Sequence, residues 1–162
     1  MASMISFVIP SDQELLAAIG EVALRHEHLT YVLRMTIKSI ARLAIDEALD
    51  ATEYDGARDL RERIKKLARQ KLGEGEALLR LQALITRCAR ATDKRNAMIH
   101  GIWAKELDGD LVQRGAGNSW GPPPSREQLL ELANELKELT RTLNEARLEG
   151  FLAEALASKS AK

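Results

Sequence analysis

Apolar residues recur at steps of three and four along most of the chain, which is the period of an amphipathic α-helix. A first helix is predicted from a Ser-x-x-Glu capping box at residues 11–14 to about residue 49, followed by an acidic connector that ends at Gly56. A second helix is predicted over residues 57–72, where a narrow apolar stripe is opposed by cations that face outward. Those cations are Arg58, Arg61, Arg63, Lys65, Lys66, Arg69 and Lys71.

The third helical pattern covers residues 77–100 and ends at Gly101. Two short runs of strand character, residues 102–107 and 110–114, then flank Asp108-Gly109, a pair suited to a type I′ turn. We therefore expect a small β-hairpin after the third helix.

A fourth helix is predicted from a second capping box, Ser125 to Gln128, up to Gly150, and a short last helix over about residues 151–157. The pattern as a whole favours an all-α fold. We expect a four- to five-helix up-and-down bundle with a small β-hairpin inserted after the third helix.

Length and composition agree with one compact domain. The chain has 162 residues, of which 45% are hydrophobic and 4% aromatic, enough for a core but unlike an aromatic-rich sheet protein. We expect a single domain over residues 11–157, an N-terminal extension over 1–10 and a flexible C-terminal tail over 158–162. The single cysteine, Cys88, excludes an internal disulfide, and no segment resembles a signal peptide or a membrane span. A soluble, cytoplasmic protein without a membrane partner is the expectation.

Common nucleotide-binding and metal-binding motifs are absent from the sequence. There is no Gly-x4-Gly-Lys-Ser/Thr loop, and the glycines of residues 115–121 follow a hairpin rather than a strand that enters a helix. His26 and His28 are two residues apart, so a helix would separate them by about 200°. Cys88 has the spacing of a buried apolar residue. Neither a cofactor nor a metal is expected.

Three polar residues interrupt the end of the third helix: Arg95, Asn96 and His100. Metal-free RNA cleavage needs a group that transfers protons near neutral pH and a fixed cation that holds charge on the phosphorane. His100 would act as general base or acid on the ribose 2′-hydroxyl. Arg95 would hold the phosphate oxygens, and Asn96 would orient the ring or the phosphate. The alternative is structural, with Arg95 and Asn96 solvated and His100 interacting with free carbonyls at the helix end.

Cations near this motif are candidates for contacts with an RNA backbone. The 24 basic and 24 acidic side chains cancel overall, but acids are concentrated in the connector and cations in the second helix. Pairing between those two segments is the plainer explanation of this asymmetry. The candidate RNA-binding residues near the motif are Arg87, Arg90, Lys94 and Lys105.

The sequence Arg-Asn-Ala-Met-Ile-His-Gly at residues 95–101 resembles the hallmark of the HEPN superfamily, an arginine, usually a polar residue, and a histidine after four to six intervening positions. The resemblance extends loosely over most of the chain, through the long first helix, a Trp-bearing hairpin and a closing helix. It implies a helical bundle that dimerises with two motifs facing one cleft and acts as a metal-independent endoribonuclease. Such domains often serve as toxins or as stress and defence effectors. A homodimer, an RNA substrate and an antitoxin or other neighbouring-gene partner are therefore expected.

Two departures from the HEPN pattern leave other functions open. In one branch the motif continues to a tyrosine that a partner nucleotidyltransferase modifies, and Ile102 occupies that position here. The hairpin around Asp108-Gly109 is also longer than in the most compact members. The alternatives are a non-catalytic helical module for dimerisation or protein interaction, which would use the leucine-lined fourth helix, and a nucleotide-binding module.

Overall fold

The structure is a computed structural model that describes residues 5–106, 109–114 and 119–160. Within these ranges the protein is mostly α-helical and carries a small antiparallel sheet. The helices are α1 (Gln13–Ala41), α2 (Ile45–Ala51), α3 (Ala57–Leu72), α4 (Glu76–Ile99), α5 (Arg126–Leu148) and α6 (Phe151–Ser160). The strands are β1 (Ile5–Phe7), β2 (Ile102–Glu106), β3 (Leu111–Arg114) and β4 (Trp120–Gly121). No helix in the described part of the chain combines the length and apolar character that a membrane crossing requires.

The first predicted helix is in fact two helices, and its capping residue differs from the expected one. Asp12, not Ser11, caps α1, because its carboxylate accepts hydrogen bonds from two backbone N–H groups of the first turn. α1 ends at Ala41, since Arg42 adopts the left-handed conformation with φ of 58°. The chain then restarts as α2, so the expectation of one helix to about residue 49 was wrong at this break.

The other helices follow the sequence pattern closely. α3 has the predicted bounds, and α4 begins one residue earlier, at Glu76. The capping box of α5 is confirmed: Ser125 Oγ accepts from the Gln128 N–H at 3.1 Å, and Gln128 Oε1 accepts from the Ser125 N–H at 2.9 Å. α6 continues to Ser160, beyond the expected helix end at residue 157 and into the segment expected to be a tail.

The predicted hairpin is confirmed and belongs to a larger sheet of order β1-β2-β3-β4. β2 pairs antiparallel with β3, and Trp103 lies opposite Gln113. β1 comes from the segment expected to be an extension and pairs with β2. β1 and β4 have only three and two residues, too few for a recognisable alternating pattern. The predicted turn residue Asp108, residues 1–4 and residues 161–162 lie outside the described residues.

The core lies between the long helices, with α1 packed against α5 and α3, and α4 packed against α5 and α3. On α4 the buried positions extend as far as Ala91 and Thr92, whereas Met98 and Ile99 are only partly buried. The candidate motif therefore lies where α4 leaves the core. The largest fully buried side chains are Leu29, Leu33, Ile37, Ile40, Leu60, Ile64, Leu81, Ile85, Leu129, Leu136, Leu139 and Leu143.

Candidate functional site

The end of α4 is held by the sheet that follows it. Gln113, buried on β3, donates a hydrogen bond from Nε2 to the Met98 carbonyl oxygen at 2.8 Å. The last carbonyls of a helix have no intrahelical partner, so this bond satisfies one of them. Gly101 does not have a positive φ and acts by leaving space, because a Cβ there would lie 2.5 Å from the Gln113 side chain. The turn from α4 into β2 is thus fixed by side-chain packing.

In the structure Arg95 contacts both Asn96 and His100, whereas no hydrogen bond joins Asn96 to His100 among the described residues. Arg95 Nη1 lies 2.7 Å from His100 Nε2 and donates to Asn96 Oδ1 at 3.1 Å. Arg95 is half-buried, whereas Asn96 and His100 are exposed. His100 is the C-terminal cap residue of α4, which places its ring within reach of the long arginine side chain one turn back.

The hydrogen-bonding capacity of Arg95 determines which ring nitrogen of His100 carries the proton in this arrangement. A guanidinium group has only donors, so His100 Nε2 must accept from Arg95. The imidazole is therefore neutral in this arrangement, with its proton on Nδ1. In the part of the chain that the structure describes, the His100 side chain makes no hydrogen bond to a helix carbonyl. The ring contacts Arg95 rather than a carbonyl at the helix end.

One edge of the Arg95 guanidinium makes no hydrogen bond to the described residues. The two hydrogens of Nη1 serve Asn96 and His100, while Nε is buried and has no hydrogen-bond partner within the described ranges. Among the described residues no carboxylate forms an ion pair with Arg95. The Nε and Nη2 edge is one of the forks with which arginine binds two oxygens of a carboxylate or phosphate. Leaving a buried donor without a partner costs about 1–3 kcal/mol.

A buried polar layer lies one turn earlier on α4, around Thr92. Thr92 Oγ1 donates to the Cys88 carbonyl oxygen at 2.9 Å and accepts from Arg61 Nη1 at 3.3 Å. His26 Nε2 lies 3.2 Å from the same oxygen. Because the hydroxyl has a single hydrogen, which serves Cys88, His26 Nε2 is the donor and its Nδ1 is unprotonated. That Nδ1 is buried and has no hydrogen-bond partner in the described part of the chain.

The sequence-based interpretation missed two residues of this layer, His26 and Arg61, whose side chains are 6% and 7% exposed. The expectation that Arg61 faces outward was wrong. Arg61 shares one helical face with Ile64 and Ala68, three and seven residues further along α3, and this spacing is a usable signal for an inward position. His26 likewise lies four residues after the buried Val22.

The environment of His26 is cationic. Burial lowers the pKa of the His26 imidazole. The positive charge of Arg95 lowers this pKa further, the negative charge of Glu27 raises it, and Arg61 and His100 lower it again. The contact with Thr92 places His26, a residue of α1, about one helical turn from Arg95 along α4.

Cys88 occupies the apolar position that its spacing predicts. It is fully buried, and burial raises the pKa of its thiol to about 11. A thiol in this environment stays protonated at physiological pH and is a poor nucleophile.

The four candidate RNA-binding cations do not form one group. Arg87, Arg90 and Lys94 are exposed along α4 at steps of three and four, so they share a face. Lys94 Nζ is already paired with Glu135 Oε2 of α5 at 2.8 Å. Lys105 is exposed on β2, where it lines a separate cavity with residues of the chain around Pro10.

The basic helix α3 and the acidic connector meet in one ion pair, with Arg63 Nη2 2.7 Å from Asp55 Oδ2. The α1 residue Arg34 also holds this connector, by donating to the carbonyl oxygens of Thr52 and Asp55. This supports internal pairing as a partial explanation of the charge asymmetry. The remaining outward cations of α3 are not accounted for by this contact.

No group of three or more histidine, cysteine, aspartate or glutamate residues within the described ranges is arranged to hold a metal ion. His26 is buried and His28 is exposed, so the two histidines of α1 face different surroundings. A comparison with known proteins finds no matching family model, no matching curated protein and no matching solved structure. The resemblance to the HEPN superfamily therefore rests on the motif at residues 95–101 and on the order of the elements.

Proposed function

We propose that the chain is a metal-independent endoribonuclease of HEPN type. The observation that carries the proposal is the state of Arg95, which holds Asn96 and His100 with one nitrogen and leaves Nε without a partner among the described residues. An arginine fork beside a neutral imidazole suits a phosphodiester, because the fork binds non-bridging oxygens and the imidazole accepts a proton. Exposure of Asn96 and His100 leaves them open to a long polymer.

The reaction proposed is a transphosphorylation. RNA phosphate draws the guanidinium of Arg95 to itself and releases the lone pair of His100 Nε2, which takes the proton of the ribose 2′-hydroxyl. The 2′-oxygen forms a bond to phosphorus, and the bond from phosphorus to the 5′-oxygen breaks. The 5′-oxygen receives a proton from the protonated imidazole, so the products are a 2′,3′-cyclic phosphate and a 5′-hydroxyl. Asn96, the other partner of Arg95 Nη1, keeps the guanidinium at the site when it releases His100.

The biological setting is part of the same proposal. The helices would form a four- to five-helix up-and-down bundle, and two copies would place their motifs at one cleft. Such a protein would be cytoplasmic and would act as a toxin or as a stress or defence effector, with an antitoxin or other partner from a neighbouring gene. The exposed position of His100 at the end of α4 supports a site completed by a second copy.

The alternative of an interaction module that uses the leucines of α5 has less support. Its leucine stripe is already used in the core, since five of these side chains are buried against the other helices. They are Leu129, Leu132, Leu136, Leu139 and Leu143.

The test is cleavage of a mixed RNA pool in EDTA, with identification of the 3′ ends. Wild type is compared with His100→Ala and with His28→Ala, an exposed histidine of α1 outside the site. We expect cyclic phosphate ends from wild type and His28→Ala, and a loss of about 10²–10⁴ in rate for His100→Ala. Equal cleavage by all three proteins, or by none, contradicts the proposal.

A further inference from the structure

We propose that Arg61 is a second phosphate-binding residue of the site, held in place by Thr92. The proposal rests on the proposed function for the identity of its ligand, an RNA phosphate. It concerns binding, however, and can be tested without any cleavage.

The first argument is the cost of an unpaired buried charge. Arg61 is 7% exposed, and its only side-chain hydrogen bond within the described ranges is to the neutral Thr92 hydroxyl. It forms no ion pair with any described carboxylate. Charged side chains that are buried in proteins are normally paired, because removal of an ion from water is strongly unfavourable. An anion that binds here would compensate this charge.

The second argument is location. Thr92 precedes Arg95 by three residues on the same face of α4, a separation of about 4.5 Å along the helix axis. Arg61 Nη1 and His26 Nε2 both contact Thr92 Oγ1, at 3.3 Å and 3.2 Å. Arg61 therefore adjoins the proposed active site.

The third argument is charge. Arg61 and Arg95 are permanent cations, whereas the imidazoles of His26 and His100 are neutral in the hydrogen-bonding arrangement described above. Glu27, next to His26 in the chain, is exposed and forms no ion pair in the described structure. The local balance is positive, so the ligand that fits is an anion.

The fourth argument is the geometry of the donors. Arg61 uses Nη1 for Thr92, just as Arg95 uses Nη1 for Asn96 and His100. Both residues thereby keep the Nε and Nη2 edge free of hydrogen bonds to described residues. That edge is the bidentate fork for phosphate oxygens. Two such forks in one site suit a phosphodiester backbone better than a single small carboxylate.

The experiment measures binding of a fluorescent 2′-O-methyl RNA oligonucleotide, which lacks the attacking hydroxyl, at several salt concentrations. Arg61→Met removes the charge but keeps a long side chain, and Arg61→Lys keeps the charge but loses the fork. Arg58→Met is the matched control, an exposed arginine on the same helix. Thermal unfolding of each protein is followed with and without inorganic phosphate.

We expect Arg61→Met to weaken binding about tenfold and to reduce the slope of log affinity against log salt by about 0.7. Arg61→Lys should keep the slope and weaken binding less. Arg61→Met should also melt at a higher temperature than wild type in the absence of phosphate, and should lose the stabilisation by phosphate. Arg58→Met should behave as wild type in both measurements.

Two results overturn the proposal: oligonucleotide binding by Arg61→Met equal to that of Arg58→Met, or a lower melting temperature of Arg61→Met with stabilisation by phosphate intact. The outcome is separable from that of the ribonuclease proposal. Arg61-dependent binding without RNA cleavage leaves the phosphate site standing and removes the enzyme. RNA cleavage by Arg61→Met with an unchanged KM leaves the ribonuclease proposal standing and removes the Arg61 phosphate site.

Discussion

The side chain of Gln113 fills the space that a side chain at residue 101 would need. A Cβ on Gly101 would lie 2.5 Å from Cδ and Nε2 of Gln113, and the same Nε2 donates to the Met98 carbonyl oxygen at 2.8 Å. His100 lies between Met98 and Gly101 in the sequence, so Gln113 of β3 contacts the chain on both sides of it. The sheet therefore positions the candidate site although it supplies none of its three motif residues.

Gly101→Ala should displace Gln113 and break its bond to Met98. We expect a loss of about 1–3 kcal/mol in the free energy of unfolding, since a buried amide and a helix carbonyl lose their partners. Denaturant unfolding measures this. Gly20→Ala is the control, because nothing lies within 4 Å of a Cβ there and the helix interior should gain about 0.5–1 kcal/mol.

A second substitution tests the cause of that loss. If the clash with Gln113 is responsible, Gly101→Ala should cost much less in a Gln113→Ala background, and the double-mutant cycle should show coupling. A Gly101→Ala protein as stable as wild type would contradict the assigned role of the glycine.

The sequence predicts contacts within one element far better than contacts between elements. Arg95 and His100 are five residues apart at the end of α4, and the sequence predicts their contact because the long arginine side chain can reach round the last turn to the cap residue. Thr92 contacts Arg61, which is 31 residues away in the sequence, and His26, which is 66 residues away. Local spacing carries no information about such distant partners. The period does indicate that His26 and Arg61 face inward. Their convergence on one hydroxyl depends on how α1, α3 and α4 pack, which only the folded structure reveals.

The buried imidazole of His26 should make stability depend on pH. Burial lowers the pKa of His26, and the positive charge of Arg95 lowers it further. The unfolded chain therefore takes up a proton near the ordinary imidazole value of about 6.5, while the folded protein does not until the pH is lower. Above the ordinary imidazole pKa the protein keeps its full free energy of unfolding. Part of that free energy is lost as the pH falls through the lower pKa that His26 has in the folded protein.

Urea unfolding of wild type at pH 7.5 and pH 5.5 measures this loss. His26→Gln keeps an amide donor for Thr92 but cannot titrate, so its stability should fall less between the two values. His28→Gln, at an exposed position two residues away, should lose as much as wild type. Equal losses in all three proteins would show that His26 does not titrate in this range.

Cys88 should be inert in the native protein. Burial raises the pKa of its thiol to about 11, so only about one thiol in a thousand is ionised at pH 8. A thiol-specific reagent at pH 8 should label the unfolded chain rapidly and the native protein only at the rate of unfolding. RNA cleavage should survive Cys88→Ala, whereas fast native labelling together with loss of cleavage would point to a catalytic thiol.

Asn96→Asp should inactivate the site without disturbing the fold. The new carboxylate has nearly the shape of the amide and lies where Asn96 Oδ1 now accepts from Arg95 at 3.1 Å. It would form an ion pair with Arg95 and repel the phosphate that the guanidinium is proposed to hold. We expect RNA cleavage and affinity for the uncleavable oligonucleotide to fall about tenfold or more, with an unchanged or higher melting temperature. Asn96→Ser, which adds no charge, should be impaired less. A protein with Asp at this position that binds and cleaves as wild type does would show that Arg95 does not act on the phosphate.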